Sequence, residues 1–332
     1  MAQATLTPAQ HRRRRLPDLV FQMGLPLALL LVVLFFAWSS PAFLVPSNLE
    51  SVLVNNFTLL AIVSIAMTLA VASGGIDLSV GTALDFASLL FVSLIAAGQP
   101  FGIALLAGLL GGLGAGLFNA FLIVGLGITP FLATLGTLFI GRSVQQLTTG
   151  GGIPIYLSKA KVPEAATFLA HGDILGIATP LWVVTILIVL FTVLLRATPF
   201  GRRVTAIGVQ PAVAWYSGLP VRRDLVLVYL LSALVVAVAG LMLSATVNAY
   251  VPSSGNAFLL NAIGATFIGT TLDRRGRPNV PGTVLGVLLL AVVANGLLLI
   301  GWNFYWQQVG TGVLIFLVLV ASFASRRWRK AG

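Results

Sequence analysis

The sequence predicts an all-α polytopic membrane protein with about ten transmembrane helices, some of them broken. Three observations carry that prediction. Of the 332 residues, 58% are hydrophobic and only 8% are charged, with a mean hydropathy of +1.04, too few charges to clothe a soluble domain of this size. Apolar runs of the ~17–25 residues needed to cross a hydrocarbon core recur along nearly the whole chain. The basic residues fall in a few tight clusters between those runs. A net charge of +11 would suggest nucleic acid for a soluble protein; here basic residues at cytoplasmic helix ends account for it, and no nucleic-acid partner is expected. The absence of cysteine excludes disulfides, zinc–thiolate sites and iron–sulfur clusters.

Taken in order, the runs lie near 19–38, 51–72, 78–97, 102–124, 131–148, 179–195, 225–246, 258–272, 283–300 and 306–324. The first follows "HRRRR" but is longer than a signal h-region, and "WSSPAFLVP" has no clear small-x-small cleavage site, so it reads as a retained helix. The eighth, "FLLNAIGATFIGTTL", is short and contains Asn261, which fits a broken or partly re-entrant segment. The clusters are Arg12 to Arg15; Arg196, Arg202, Arg203, Arg222 and Arg223; Arg274, Arg275 and Arg277; and Arg326, Arg327, Arg329 and Lys330. Ten spans with an internal N-terminus put all four, sixteen of the 19 basic residues, on one side, which is the cytoplasm. Basic tails at 1–18 and 326–332 then flank a transmembrane unit at 19–325, with a cytoplasmic loop at 196–224. The longest external segment, about 149–178, is too short to be a binding domain, so capture of a solute outside the membrane falls to another protein.

A weak internal echo appears at an offset of 201 residues. Phe57, Leu59, Ala61, Ile62, Gly75, Gly81, Thr82 and Leu84 recur in register from Phe258 to Leu285. Both copies read helix, glycine-marked break, "GT", helix. Chance is the competing explanation, because Gly, Leu and Ala abound here. A true repeat would place two interrupted elements in corresponding parts of two halves, which is the sequence pointer to a translocation site.

The break in "SGGIDLSVG" is the sharper of the two. Consecutive glycines leave a helix easily for want of a Cβ, and Asp77 followed by Ser79 offers capping oxygens to the helix that begins there. The structural expectation is that Asp77 caps the third span at its cytoplasmic end; the functional alternative is that it binds a cation or a substrate hydroxyl.

In this order, "GGIDLSVG", "TPFLATLGT", "TPFGRRVTAIG", "SGL", "PGTVLG" and "WQQV" resemble signature stretches of the permease subunits of ribose-type sugar ABC importers, over roughly 45–320. The resemblance implies a bacterial inner-membrane permease that pairs with a second copy or a paralogue, receives a monosaccharide from a periplasmic or lipid-anchored binding protein, and is driven by a separate cytoplasmic ATPase. The residues agree with part of that role. No GxxxxGK[ST] phosphate loop is present, so ATP would be bound by the partner and the chain itself needs no cofactor. No HExxH or GxSxG is present, and the two histidines, His11 and His171, read as loop residues, so neither a metal centre nor catalysis is expected.

Between spans six and seven, Pro211 suits a first helical turn and Gly218 the residue just past its end, so 211–217 reads as a short helix. In such a permease it would dock in the ATPase, with Arg202, Arg203, Pro211, Ala214, Trp215, Tyr216, Ser217 and Gly218 as coupling candidates and the two aromatics as rigid interface anchors. Family members usually carry an acidic residue after the proline and less bulky groups later; Ala212, Trp215 and Tyr216 depart from that pattern and put the identity of the ATPase in doubt. An interfacial loop with its aromatics at lipid headgroups is the alternative.

A path for a sugar needs hydrogen-bonding side chains shielded from lipid. The embedded candidates are Asn56, Asp77, Asp85, Asn119, Thr134, Thr137, Arg142, Asn261, Asn295 and Gln307. Asp85 is the most costly, since a charge at the bilayer centre costs about 2.5–3.5 kcal/mol on insertion scales; it should face a cavity or pair with a basic group such as Arg142. Eight residues separate it from Asp77, about 80° around a helix, so the two carboxylates are expected to approach one cavity at different depths. Arg142 matches a recurrent basic position in the family, and it can also snorkel. Gly108, Gly112 and Gly116 have small-xxx-small spacing, for which helix packing is the expectation, and Trp302, Tyr305 and Trp306 read as an external aromatic belt. The rivals to an ABC permease are a cation-coupled carrier using Asp77 and Asp85, and an intramembrane enzyme, for which no nucleophile–base set is visible.

Overall fold

The computed structural model describes residues 23–158 and 161–331. Each of the ten apolar runs carries a helix. In chain order these are α1 (Gly24–Ser39), α2 (Pro46–Ala72), α3 (Val80–Ala96), α4 (Phe101–Gly125) and α5 (Pro130–Thr148), then α7 (Thr179–Ala197), α10 (Val221–Val247), α11 (Asn256–Leu272), α12 (Val280–Leu299) and α13 (Phe304–Ala331). Between them lie short helices α6 (Glu164–His171), α8 (Pro199–Val209) and α9 (Pro211–Tyr216). The Arg12–Arg15 cluster and the first residues of the predicted first span fall outside the described residues. At the other end α13 continues to Ala331, past the predicted end of its span.

Five helices, α2, α4, α7, α10 and α12, are long and apolar enough to cross a bilayer; α1, α3 and α11 are apolar but shorter. Burial sorts the five. The most apolar windows of α2, α10 and α12 are 72%, 61% and 67% buried, whereas those of α4 and α7 are only 28% and 22% buried. The first three therefore form the centre, and the other two turn apolar side chains outward, as lipid-facing helices must.

Local chemistry sets the helix boundaries. Prolines open α2, α5, α8 and α9 at the position where a missing N–H costs nothing. Thr198 Oγ1 accepts the Gly201 N–H at 3.1 Å to cap α8, and Asn279 Oδ1 accepts the Gly282 N–H at 2.8 Å to cap α12. Residues Val52–Phe57 of α2 wind as a π-helix, with Thr58 Oγ1 donating five residues back to the Leu53 carbonyl at 2.8 Å. A second π turn, Phe121–Gly125, ends α4.

The α4 glycines pack as expected. Gly108, Gly112 and Gly116 are buried and face Leu241, Ala237 and Ala233 of α10. The absent side chains let the two helices approach closely. α10 also lies along α2 and α3, while α11 and α12 pack against each other and against α2.

The internal echo survives in element order and fails in packing. Residues 57–84 and 258–285 each run helix, break, helix. In the second copy α11 and α12 lie side by side, with Gly269 against Gly282, whereas α2 and α3 make little contact and Gly81 packs on Gly255. The two copies meet at their threonines, where Thr68 and Thr283 share a 2.7 Å hydrogen bond.

The segment 149–178 is more structured than a bare loop. Besides α6 it holds an Asp173–Ile174 and Ile177–Ala178 hairpin turning through Leu175 and Gly176, both at positive φ, the two-residue turn that matches strand twist. Ile155–Tyr156 pairs antiparallel with Ala249–Tyr250. Among the described residues the regular structure is otherwise helical.

Candidate functional site

The sequence-selected polar residues separate into three groups. The first surrounds the break at 73–79. Gly74, at φ +90°, turns the chain, and a Cβ there would lie 3.1 Å from Gly208 Cα of α8. Asp77 Oδ1 accepts both the backbone N–H of Ser79, at 2.9 Å, and its hydroxyl, at 2.6 Å. Asn119 Nδ2 donates to Ser79 Oγ at 2.6 Å, and Thr137 Oγ1 donates to Asn119 Oδ1 at 2.6 Å. Thr134 Oγ1 accepts the Leu78 N–H at 3.1 Å and donates to the Pro130 carbonyl at 2.9 Å. Asp77, Asn119, Thr134 and Thr137 are thus brought together, all 3% exposed or less, in a knot tying α3, α4 and α5 to the break. The expected cap is corrected in detail: Asp77 closes a turn onto Ser79, which itself precedes α3, and no side chain caps that helix.

The second group surrounds Asp85. Its Oδ1 accepts the Gly255 N–H at 2.8 Å and the Ser254 hydroxyl at 3.0 Å. Gln145 Oε1, from α5, accepts the Tyr250 hydroxyl at 3.0 Å and the Ser253 N–H at 2.8 Å. The carboxylate is fully buried and makes no pair with Arg142. Asp77 and Asp85 share no hydrogen-bond partner. Asp77 lies outside α3, so helical spacing does not relate the two, and each carboxylate is held by a different set of residues. Asn295 is likewise committed, exchanging two amide hydrogen bonds with Asn48, at 2.9 and 3.1 Å, that tie α12 to the start of α2.

The third group stays available. Arg142 is exposed, and Asn56, Asn261 and Gln307 are half-buried. None of these four side chains has a hydrogen bond or ion pair among the described residues. Asn56 sits in the π turn of α2, an irregularity frequent at functional sites.

The predicted helix at 211–217 is present as α9. Ala214 is buried with Ile207 and Val221, which anchors the helix, while Trp215 and Tyr216 are 53% and 88% exposed. Gly218 follows at φ +76° and ends it. Pro211 and Ser217 are exposed, and the Arg222 guanidinium stands 5.8 Å from the Trp215 ring centroid. Arg202 is exposed, reaching only the Ala197 carbonyl at 3.3 Å. Arg203 is placed differently from expectation: it forms a two-pronged ion pair with buried Asp224, at 2.6 and 2.9 Å, that braces α8 against α10. A groove of about 630 Å³ runs beside α9, with Arg196, Arg202, Gln210, Val213, Arg277 and Asn279 in its lining. Asp224, Asn48 and Ser254 had no sequence signal, since each acts only through a partner remote in the chain.

A family model described as "Branched-chain amino acid transport system / permease component" matches residues 49–319. The chain belongs to this permease family. It is 32% identical over 311 residues to the ribose import permease protein RbsC of Bacillus subtilis, covering 94% of this chain and 95% of that one. It is 34% identical over 267 residues to the autoinducer 2 import system permease protein LsrD of Yersinia enterocolitica, covering 80% and 81%, and 31% identical over 306 residues to an LsrD of Escherichia coli, covering 92% of each. The likeness to ribose-type importer permeases therefore holds across nearly the whole length, and the family is one of multi-pass transport permeases.

Proposed function

We propose that this permease is the membrane subunit of an ATP-binding cassette importer that passes a monosaccharide, ribose-, xylose- or galactose-like, from a periplasmic or lipid-anchored binding protein into the cytoplasm. The chain crosses the inner membrane ten times with both termini inside, pairs with a second copy or a paralogue, and takes its work from a separate cytoplasmic ATPase that binds the ATP. Full-length similarity to an import permease named for ribose supports the cargo class. A second cargo, a sugar-derived signal, rests on the relatives named for autoinducer 2.

The observation that carries the mechanism is α9. A six-residue helix anchored by one buried alanine and presenting Trp215 and Tyr216 to solvent has little reason to exist within the monomer. Large exposed aromatics on a rigid, Pro-started and Gly-ended turn are what a docking contact needs. The basic groove beside it supplies a complementary rim for a partner's acidic or polar groups. Closure of the ATPase on ATP would push α9, and through the α8–α10 brace at Arg203 and Asp224 the push reaches α10, the helix packed on α2, α3 and α4. The cargo then passes between two copies along the outward residues Asn56, Arg142, Asn261 and Gln307. The buried set is engaged within the fold and turned away from that route.

The test is reconstitution with the cognate ATPase and binding protein. Trp215→Asp with Tyr216→Asp should abolish binding-protein-stimulated ATP hydrolysis in a protein that purifies and unfolds as the parent does. Unchanged stimulation would remove the docking role, and solute accumulation by the chain alone in vesicles would remove the ABC assignment.

A further inference from the structure

The Asp85 cluster contains buried oxygens with no well-formed hydrogen bond within the chain, although the Gln145 side chain also approaches the carboxylate. Asp85 Oδ2, Thr82 Oγ1 and Asn256 Oδ1 are all buried and without a hydrogen-bond partner. They belong to one place. Thr82 and Asp85 are three residues apart on α3 and share a face. Asn256 follows Gly255, whose N–H bonds the other oxygen of Asp85, and its Oδ1 lies 2.8 Å from where a Cβ at Gly81, one turn from Asp85, would stand. Gly141 of α5 backs Thr82, a Cβ there falling 2.8 Å from Thr82 Oγ1. Gln145, one turn further, closes the same side through Tyr250 and Ser253.

No cationic side chain reaches this carboxylate. Among the described residues the one ion pair joins Arg203 to Asp224, and Arg142 points outward. A fully buried carboxylate without a counter-charge is costly, and it takes up a proton, pairs with a cationic group or coordinates an ion. A carboxylate oxygen, a hydroxyl and an amide carbonyl form an all-oxygen set, which suits a hard cation. One negative charge is neutralised by one positive charge, and no group of three His, Cys, Asp or Glu side chains exists among the described residues to favour a divalent ion.

We propose that Thr82, Asp85 and Asn256 bind a monovalent alkali cation, sodium in size class, as a resident ion that clamps the 253–256 turn onto α3. The turn needs a clamp. Ser253, its first residue, and Asn248, five residues earlier, are held at φ +63° and +50°, the left-handed region that non-glycine residues seldom adopt. The ion is enclosed within one chain and is not cargo, so the proposal stands independently of the transport reading.

Thermal unfolding of the purified full-length permease in detergent tests it, at constant chloride and ionic strength, with sodium, potassium or N-methyl-D-glucamine as the cation. Sodium should raise the midpoint saturably, as a ligand specific to the folded state does. Asp85→Asn keeps the acceptor for Ser254 and Gly255 and should lose the response. Thr82→Val should shift the half-saturating sodium concentration upward by about tenfold, the effect of losing roughly 1.4 kcal/mol of binding. Bound ²²Na⁺ should approach one per chain in the parent and vanish in Asp85→Asn. No difference between sodium and N-methyl-D-glucamine in the parent would overturn the proposal, since a bond within the protein from a turned Asn256 amide to Asp85 needs no ion. An undiminished response in both variants would also overturn it, by placing the ion elsewhere. Should Asp85→Asn fail to fold, Thr82→Val decides alone.

Discussion

The seam between α4 and α10 gives the most direct quantitative test of the fold. A Cβ placed on Gly112 would lie 2.6 Å from Ala237 Cβ, 3.2 Å from the Ala83 carbonyl oxygen and 3.3 Å from Ala237 Cα. Carbon atoms pack best at about 3.5–4.0 Å, so Gly112→Ala leaves the contact about 1 Å short. Every obstructing atom is backbone or Cβ, and none can rotate away. The helices must therefore part, which loosens the matching contacts at Gly108 and Gly116. Overpacking of this kind costs about 1–3 kcal/mol, and the rigidity of the neighbours argues for the upper half. Gly114, one position beyond the seam residue's neighbour, is exposed with nothing within 4 Å of its Cβ position, so Gly114→Ala should be neutral or slightly stabilising. Adding Ala237→Gly to Gly112→Ala removes the 2.6 Å clash and leaves two contacts that a few tenths of an ångström relieve; more than half the loss should return. Denaturation in detergent should rank parent and Gly114→Ala highest, the double variant next and Gly112→Ala lowest. Equal stability of Gly112→Ala and Gly114→Ala would refute the close seam.

Two further outcomes follow from the polar clusters. Asn119→Ala leaves Thr137 only the Ala133 carbonyl, at 3.1 Å, as acceptor and buried Ser79 Oγ without its amide donor, and should cost about 1–3 kcal/mol in the same denaturation assay; a neutral result would mean the knot is not buried. Arg203→Ala strands the buried Asp224 carboxylate, so the double variant Arg203→Ala with Asp224→Ala should unfold at a higher temperature than the single one; a double variant no better than the single would remove the pairing as the cause.

Helices were legible where apolar length alone sufficed, and α9 was legible because Pro211 and Gly218 mark both of its ends. What escaped the sequence is non-local. Asp224 lies 21 residues from Arg203 and Asn48 lies 247 from Asn295, spacings that no helical period relates. The angle assigned to Asp77 and Asp85 presumed a continuous helix through a segment whose own glycines break it. Helix α6 and the paired two-residue strands fall below the length at which periodicity can be read. The sequence picks out the polar residues of the apolar runs, but polarity does not distinguish a side chain bonded inside one chain from one left to meet something else.

That distinction bears on the path. Asp77, Asp85, Asn119, Thr134, Thr137 and Asn295 are the residues that look most expensive in lipid, and the fold hides each of them behind partners of its own. Arg142 is the exception. It is exposed on α5 beside exposed Ser143, about 9 Å before the end of the helix at Thr148, within the outer reach of a snorkelling guanidinium. Snorkelling would relieve the charge of Arg142 but gives no reason for Ser143 on the same outward face, nor for Gln146, exposed one turn further on. A surface with three polar neighbours on a membrane helix is better matched by another protein surface and water than by acyl chains. Under the proposed two-copy assembly, that face of α5 is where hydrogen-bonding groups remain for a passing sugar, while the buried clusters keep the frame of the path in place.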